Sequence, residues 1–293
     1  MKIAIYGRRF NKEFYPAAEV LFSKLQDFAS EISVFKNFHN FITEETGITP
    51  EADKLFDKPF EEQNKPDMLF SIGGDGTFLD STEYAGQLNI PIVGINSGRL
   101  GFLANISEPE IELSLDKIKA QQYSLEERIL LKVSSGSENL TSYPYCLNEI
   151  SIQKQSSDSM ITISVKIDDE FINSYWADGL IIATPTGSTA YSLSVGGPIM
   201  LPEAQSIIII PIAPHNLNVR PIIIPDYKTI SISARSRSGK FLCSADSRTV
   251  ILNTDKTIEI QTADFKIKTV LPEGKNFYDT LRNKLMWGVD KRN

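Results

Sequence analysis

Residues 68–95 read MLFSIGGDGTFLDSTEYAGQLNIPIVGI, and this stretch decides the class of fold. The apolar run 68–72 predicts a buried strand, residues 78–87 predict a helix, and residues 90–95 predict a second strand. A strand, a helix and a further strand in this order form a parallel β-α-β unit. Residues 2–35 show the same alternation, so the first part of the chain is predicted to be an α/β domain.

The pattern changes after about residue 128. Isoleucine and valine alternate with polar residues over 161–167, and similar short runs follow about every ten residues. Many short strands of this kind predict an antiparallel sandwich or barrel. We therefore expect a Rossmann-like α/β domain over residues 1–125 and a β-sandwich-like domain over residues 126–274.

Two segments lie outside this scheme. Residues 43–65 are polar, contain two prolines and are predicted to form a mobile surface segment. Residues 275–287 carry apolar side chains at helical spacing, namely Phe277, Leu281, Leu285 and Trp287. We expect this helix to bury its apolar stripe against the N-terminal domain.

The composition argues against several classes of protein. Among 293 residues, 30 Lys and Arg face 37 Asp and Glu, a net charge of −7. Because phosphate backbones attract clustered cations, this balance speaks against nucleic acid or a membrane surface as a partner. No apolar run approaches the roughly 18 residues of a membrane span. The two cysteines, Cys146 and Cys243, are too few for a disulfide framework, and we expect a cytoplasmic protein.

A glycine-rich loop, Gly73-Gly74-Asp75-Gly76-Thr77, joins the predicted strand to the predicted helix. Glycines let a ligand approach the backbone, and a helix N-terminus favours phosphate. A carboxylate beside phosphate is unfavourable unless it accepts a proton from a hydroxyl nucleophile or holds a divalent cation. A tight turn with a capping aspartate is the alternative. The loop is neither a P-loop nor a dinucleotide-binding fingerprint, because no Lys-Ser or Lys-Thr pair follows and Leu79 replaces the third small residue.

Three other stretches are candidates for ligand binding. Asn148 and Glu149 interrupt an apolar strand, so they either mark an edge position or hydrogen-bond a polyhydroxyl ligand such as ribose. Asp178 precedes a buried strand, and the segment 184–192 after that strand carries six hydroxyl groups, including a tyrosine that could stack on a base. A self-capping loop is the alternative for this segment. A second glycine-rich loop, 94–103, also follows a strand.

Together these motifs resemble the NAD kinase family. The resemblance rests on GGDGT at 73–77, GINSGRLGFL at 94–103, NE at 148–149, DG at 178–179 and TPTGSTAYSLSVGGPI at 184–199, in matching order over about two-thirds of the chain. Lipid kinases of the diacylglycerol-kinase fold share GGDGT, whereas the last motif with the preceding NE is more specific. The family's fold has an α/β domain, a β-sandwich-like domain and a C-terminal segment, here 275–293, that folds back on the first domain.

The resemblance implies transfer of the γ-phosphoryl group of ATP to the 2′-hydroxyl of the adenosine ribose of NAD, which gives NADP. A divalent cation, Mg²⁺ or a similar ion, accompanies ATP, and no metal-binding side chain is implied. Asp75 is implied as the proton acceptor, and the phosphate loop comprises Gly73, Gly74, Gly76 and Thr77. The implied NAD-binding residues are Asp75, Gly76, Phe102, Asn148, Glu149, Trp176, Asp178, Thr189, Ala190, Tyr191, Ser192, Leu193, Ser194 and Ala213.

The family also implies a homotetramer, or a homodimer as second choice, whose subunit contact completes the NAD pocket. Tyr175 and Trp176 suit such an interface. Many bacterial relatives carry arginine where this chain has Asp80 and Trp176, and the loss of two cations speaks against inorganic polyphosphate as the donor.

Two other functions remain as alternatives. A lipid or sphingoid kinase needs a broad apolar pocket and gives no reason for the hydroxyl-rich segment 184–194. A non-catalytic NAD(P) sensor needs no carboxylate in the phosphate loop, so Asp75 speaks against it.

Overall fold

A computed structural model of the chain describes residues 1–136, 138–155, 160–216 and 218–287. The chain divides into two compact units, one formed by Met1–Glu127 with Ile267–Asn293 and the other by Arg128–Lys266. The second segment of the first unit begins at Ile267, ahead of the C-terminal segment expected at 275–293, of which residues 288–293 lie outside the described residues. Within the described residues, no helix is long and apolar enough to cross a bilayer.

The first unit is an α/β structure. Its strands up to residue 96 are β1 (Lys2–Gly7), β2 (Glu31–Phe35), β3 (Lys54–Phe56), β4 (Met68–Gly73) and β5 (Ile92–Asn96). Its helices up to residue 119 are α1 (Tyr15–Gln26), α2 (Lys36–Phe41), α3 (Asp75–Ala85) and α4 (Ile111–Lys119). Single helical turns cover Lys12–Phe14, Ile42–Thr46, Glu62–Asn64, Gly86–Leu88 and Glu108–Glu110.

The strands of this unit pair in parallel in the order β5-β4-β1-β2-β3. Strands β1 and β4 are buried almost throughout, because a parallel sheet carries helices on both faces. The chain runs outward from β1 to β3 and then returns to the other side of β1 as β4. Open α/β sheets bind ligands at the carboxyl ends of the strands where this order reverses. Here that point lies where β1 ends at Gly7 and β4 ends at Gly73.

Sequence periodicity predicted this unit well except at one edge. The predicted α/β architecture is confirmed, and α3 begins at Asp75, earlier than expected, because the glycine loop itself forms the helix N-terminus. The prediction for 43–65 was incomplete, since β3 lies within this polar segment and pairs with β2 at the sheet edge. An edge strand this short and exposed carries little apolar pattern.

The second unit is built from antiparallel strands. The strands that contribute to it before residue 254 are β6 (Tyr123–Ser135), β7 (Glu138–Asn139), β8 (Tyr145–Cys146), β9 (Glu149–Lys154), β10 (Ile161–Ile167), β11 (Glu170–Ala177), β12 (Gly179–Ala183), β13 (Ser206–Ile212), β14 (Ile222–Pro225), β15 (Ile230–Arg235), β16 (Lys240–Ala245) and β17 (Arg248–Asn253). Between β12 and β13 lie a helical turn, Thr186–Thr189, and the short helix α5 (Tyr191–Ser194).

Two layers of these strands enclose the core of the second unit. One layer has the order β14-β13-β12-β9-β16-β17, and in the other β11, β10 and β15 lie side by side. Inward-facing residues such as Ile152, Leu180, Ile163 and Ile232 form one apolar cluster between the layers. The predicted sandwich is therefore confirmed.

The chain ends with a long strand and a helix. Strand β18 (Thr257–Pro272) pairs with β15 through its first residues, and Thr269 near its end pairs with Ile92 of β5. Helix α6 (Phe277–Leu285) follows, with the side chain of Asn276 capping its first turn.

The expected apolar stripe of this last helix is confirmed in its first half and wrong in its second half. Leu281 is buried and Phe277 is half-buried next to Phe102, whereas Leu285 and Trp287 are 37% and 52% exposed. The helix ends at Leu285, and Met286 takes a left-handed conformation (φ 54°), which turns Trp287 away from the helical face.

Candidate functional site

The loop after β4 is a tight turn that delivers Asp75 to the N-terminus of α3. Gly73 has φ 153°, and a Cβ there would lie 2.2 Å from Oγ1 of Thr77, so no other residue fits. The backbone N–H groups of Thr77 and Phe78 donate to the carbonyl of Gly74 at 3.0 and 3.2 Å. The turn therefore fixes the position of the Asp75 backbone, from which the side chain extends.

The carboxylate of Asp75 holds the second glycine-rich loop. It accepts hydrogen bonds from the backbone N–H groups of Phe102 (2.9 Å), Leu103 (2.9 Å) and Ala104 (3.0 Å). Gly101 makes this approach possible, because a Cβ at that position would lie 1.8 Å from Oδ1 of Asp75. The structure thus brings together two motifs, 73–77 and 94–103, that are separate in the sequence.

The 94–103 loop is also held from within and from the C-terminal helix. The buried side chain of Asn96 donates to the carbonyl of Arg99 (2.6 Å) and accepts from the N–H of Gly98 (2.7 Å). The ring of Phe102 is buried next to Phe277 of α6, with 6.2 Å between ring centroids. This loop is therefore held in place by contacts within the protein.

Lys284 of α6 is a member of this site that sequence reasoning missed. Its Nζ lies 3.6 Å from Oδ2 of Asp75 and 5.0 Å from the ring centroid of Phe102. A lone lysine near the end of a chain belongs to no motif, so no pattern in the sequence marked it.

In the second unit, Asn148 and Glu149 stand at the start of a central strand. β9 pairs with both β12 and β16, so the edge-strand alternative for this pair is wrong. The side chain of Asn148 makes no hydrogen bond within the described part of the chain. One carboxylate oxygen of Glu149, Oε2, is likewise buried with no partner among the residues described. Both side chains therefore keep polar atoms available for a ligand.

A buried aspartate fixes the backbone of this pair. The carboxylate of Asp246 accepts from the N–H groups of Leu147 (2.9 Å), Asn148 (2.9 Å) and Glu149 (3.2 Å). Asp246 lies in the turn between β16 and β17 with φ 49°, a conformation that aspartate tolerates better than most residues. Sequence reasoning missed it, because an aspartate in a hairpin turn is ordinary.

Burial makes the charged form unfavourable for both Glu149 and Asp246. Burial, and then the negative charge of Asp246, raise the pKa of Glu149 to about 7, while the N–H of Tyr191 opposes the rise by donating to its carboxylate. Burial also raises the pKa of Asp246, against its three backbone donors and Arg248 at 4.0 Å. Glu149 can therefore gain or lose a proton near neutral pH.

The hydroxyl-rich segment is tied to this pair by its backbone. The hydroxyl of Thr184 donates to the carbonyl of Leu147 (2.5 Å), and its N–H donates to the carbonyl of Asn148 (2.9 Å). A Cβ on Gly187 would lie 2.1 Å from that same carbonyl oxygen, so glycine is required. The structure thus brings Asn148 and the segment beginning at Thr184 into direct contact.

Most hydroxyls of this segment serve the loop itself. Ser188 Oγ accepts from the N–H of Met200 (2.9 Å), and Thr189 Oγ1 donates to the carbonyl of Thr186 (3.2 Å). Ser192 Oγ is buried without a partner among the described residues. The self-capping alternative therefore describes much of this segment, and Ala190, Tyr191 and Leu193 present half-buried surfaces while Ser194 is exposed.

Trp176, Asp178 and Ala213 form a separate group. Asp178 lies opposite Lys154 on β9, and five residues along β9 separate Lys154 from Glu149, a distance of about 16 Å. The Asp178 carboxylate pairs with Nζ of Lys154 at 2.7 Å, and the ring of Trp176 lies 4.4 Å from that of His215. Ala213, with φ 44°, is exposed beside them. The structure does not bring this group to Glu149 along the sheet.

Comparisons with known proteins agree with both units. Residues 3–123 match a family model described as the ATP-NAD kinase N-terminal domain, and residues 147–271 match the ATP-NAD kinase C-terminal domain. The NAD kinase of Bacteroides fragilis is 45% identical over 292 residues, with all of both chains covered.

Solved structures share the fold. A crystal structure of an NAD kinase from Archaeoglobus fulgidus in complex with ATP is 25% identical, with a TM-score of 0.72 over 98% of this chain and 99% of that one. Yeast NADH kinase, crystallised with NADH, is 24% identical with a TM-score of 0.82, covering 98% of this chain and 88% of that one. The second likeness concerns the fold alone.

Proposed function

Because this chain belongs to the NAD kinase family, we propose that it is a phosphotransferase that makes NADP from NAD and ATP. The γ-phosphorus of ATP forms a bond to the 2′-oxygen of the adenosine ribose, the bond to the β-phosphate oxygen breaks, and ADP leaves. The hydroxyl proton passes to a base. The observation that carries this proposal is the carboxylate of Asp75 at the phosphate loop, held by three backbone donors.

Asp75 is suited to receive that proton. A carboxylate offers about four lone-pair sites, and the three backbone N–H groups leave roughly one for a substrate hydroxyl. Its side chain is 30% exposed, so a ligand can reach it. Gly73, Gly74, Gly76 and Thr77 supply the turn, and the N-terminus of α3 favours the donor's phosphates.

The second unit supplies the dinucleotide contacts in this proposal. Asn148 and Glu149 hydrogen-bond the ribose, supported by their unpartnered polar atoms. The run Thr189–Ser194 lines the NAD pocket, and Phe102 contributes a lesser contact.

We propose a homotetramer, or else a homodimer, in which Trp176, Asp178 and Ala213 serve the NAD pocket of a neighbouring copy. Their separation from Glu149 along β9 and the 45% exposure of Trp176 support this. Tyr175 does not share that role, because it is buried in the sandwich core.

Magnesium enters this scheme as part of the Mg-ATP substrate. Over the described ranges, no group of three or more His, Cys, Asp or Glu side chains could hold a metal ion. Mg²⁺ is commonly carried by phosphates, waters and one or two carboxylates, so no dedicated cage is needed. A cytoplasmic location is part of the same proposal, supported by two cysteines that are buried and free.

The test combines one assay with one variant. Wild-type protein is incubated with NAD and Mg-ATP, and NADP is read by a coupled dehydrogenase. Asp75→Asn should lower turnover about 10²-fold or more, as expected for loss of a general base, while calorimetry still shows NAD binding. Tight NAD binding without NADP from any donor would instead establish a sensor, and phosphorylation of a sphingoid base would establish a lipid kinase.

A further inference from the structure

Arg8 is the first residue after β1, at the point where the strand order of the first unit reverses. Its backbone N–H donates to the carbonyl of Ile72 at 3.3 Å, which places Arg8 beside Gly73 of the phosphate loop. Its guanidinium forms an ion pair with Asp80 of α3 and donates a hydrogen bond to the hydroxyl of Tyr6. The chain thus holds a cation at the carboxyl end of the central strands.

Asp80 explains why the guanidinium stays there. The side chain of Asp80 is 17% exposed, whereas that of Arg8 is 62% exposed. A guanidinium has about five N–H donors, more than one carboxylate oxygen and one hydroxyl can engage. Arg8 therefore has N–H donors exposed to solvent, while the ion pair with the more buried Asp80 holds its guanidinium in place. Without Arg8, the carboxylate of Asp80 would add a negative charge near a loop that must accept phosphate.

Space for a nucleotide lies next to this cation. A cavity of about 740 Å³ borders Arg8 on the side of β2 and α2, with Tyr6, Phe35 and Asn37 in its lining. Pockets of this size accommodate ligands as large as nucleotides. Arg9, Glu44 and Glu45 line the same cavity, and the charge of Arg9 is taken up by Glu45 and lies over the ring of Phe41 at 5.7 Å.

We propose that Arg8 binds the phosphate chain of the donor and that Asp80 is its positioning residue. The inference rests on the proposed function for its choice of ligand. A planar guanidinium can donate two parallel hydrogen bonds to phosphate oxygens, which a lysine cannot. The sequence alone suggests that Asp80 removes a cation from this region; in the structure Asp80 holds one there.

The experiment compares Arg8→Ala with the matched control Arg282→Ala, which removes another exposed, ion-paired arginine that does not line this cavity. The KM for Mg-ATP and for NAD is measured for each, and calorimetry gives the affinity for Mg-ATP and for inorganic tripolyphosphate. We expect Arg8→Ala to weaken Mg-ATP and tripolyphosphate alike by about 10-fold or more, the usual effect of losing a charge-assisted hydrogen bond. The KM for NAD and all values for Arg282→Ala should stay within about 2-fold of wild type.

Asp80→Asn tests the positioning role. In the wild-type background it should raise the KM for Mg-ATP, because Arg8 loses its anchor. In the Arg8→Ala background the same change should lower that KM, because it removes a negative charge that Arg8 no longer offsets. Arg8→Lys should recover part of the Mg-ATP affinity but not all of it. The effect of Asp80→Asn on the KM for Mg-ATP thus has opposite signs with and without Arg8. Such a coupling between the two residues is not expected if Asp80 is merely structural.

Three results would overturn the inference: unchanged Mg-ATP affinity in Arg8→Ala, equal losses for NAD and Mg-ATP, or a loss for ATP but not for tripolyphosphate. Thermal melting of each variant separates binding from folding. Since calorimetry needs no turnover, wild-type protein that binds tripolyphosphate through Arg8 yet makes no NADP would refute the proposed function and leave this inference standing.

Discussion

The ammonium of Lys284 lies 3.6 Å from the carboxylate of Asp75, although more than 200 residues separate them in the chain. The same ammonium lies over the ring of Phe102, whose backbone N–H donates to Asp75. Lys284, Asp75 and Phe102 therefore form one cluster. Helix α6, which buries a single apolar residue, thus places a positive charge beside the carboxylate of the phosphate loop.

Replacing Lys284 with methionine should affect turnover more than stability. The change keeps the apolar stem over Phe102 and removes the charge. We expect turnover to fall about 3-fold to 5-fold, in line with the ~1 kcal/mol of a partly exposed ion pair. The free energy of unfolding should hardly change. Arg282→Met, on the same helix but paired with Asp279, is the control and should keep full turnover.

Ending the chain after Lys275 should leave a folded protein. Leu281 is the buried residue of α6, and its burial contributes about 1.5–3 kcal/mol, less than the ~5–15 kcal/mol of a typical domain. The pair between Lys275 and Glu110 is retained. We expect a melting temperature lower by several degrees and turnover reduced at least as much as in Lys284→Met. Insoluble protein would show that α6 is essential to the fold.

Glu149 should make stability depend on pH. Its pKa in the folded protein is about 7, against an ordinary value of 4.5, because of burial and Asp246. Between these values the folded state binds more protons than the unfolded state, so the free energy of unfolding contributed by Glu149 falls as pH rises. The penalty is complete above about pH 7.

Glu149→Gln should remove this pH dependence. We expect the variant to be more stable than wild type at pH 8 by about 1–3 kcal/mol and similar to it near pH 5, measured by urea unfolding. Asp246→Asn, which removes the neighbouring charge, should shift the remaining dependence to lower pH. Parallel stability profiles for wild type and Glu149→Gln would refute the assignment.

Asn148→Ala should weaken NAD binding selectively. Loss of one hydrogen bond to a ribose hydroxyl costs about 0.5–1.5 kcal/mol, so we expect NAD affinity to fall about 3-fold to 10-fold in calorimetry. The affinity for Mg-ATP should not change. Gln153→Ala, farther along β9, is the control, since its side chain bonds only to Ser151 in the described structure. Equal losses for both substrates would indicate a defect in folding.

The sequence predicted the features that are encoded locally. Apolar periodicity marked the strands, and the loop 73–77 stood out by its three glycines. Contacts between distant residues left no such trace. Asp246 and Lys284 act on the candidate site only because the fold places them there. The sequence could not decide whether Asn148 and Glu149 lie on an edge strand or a central strand, because the residues of a strand do not show which strands pair with it.

The pairing of Thr269 with Ile92 sets an order of events during synthesis. Residues 128–266 interrupt the first unit. Its sheet therefore cannot be completed until β18, the last strand in the described chain, has been synthesised. At about 5–20 residues per second, the edge of β5 stays open for roughly 10–30 s. An open edge strand is a template for aggregation, so the nascent chain is most vulnerable in this interval. Slow release at the end of translation would lengthen the exposure, and overproduction would increase the number of open edges that can meet.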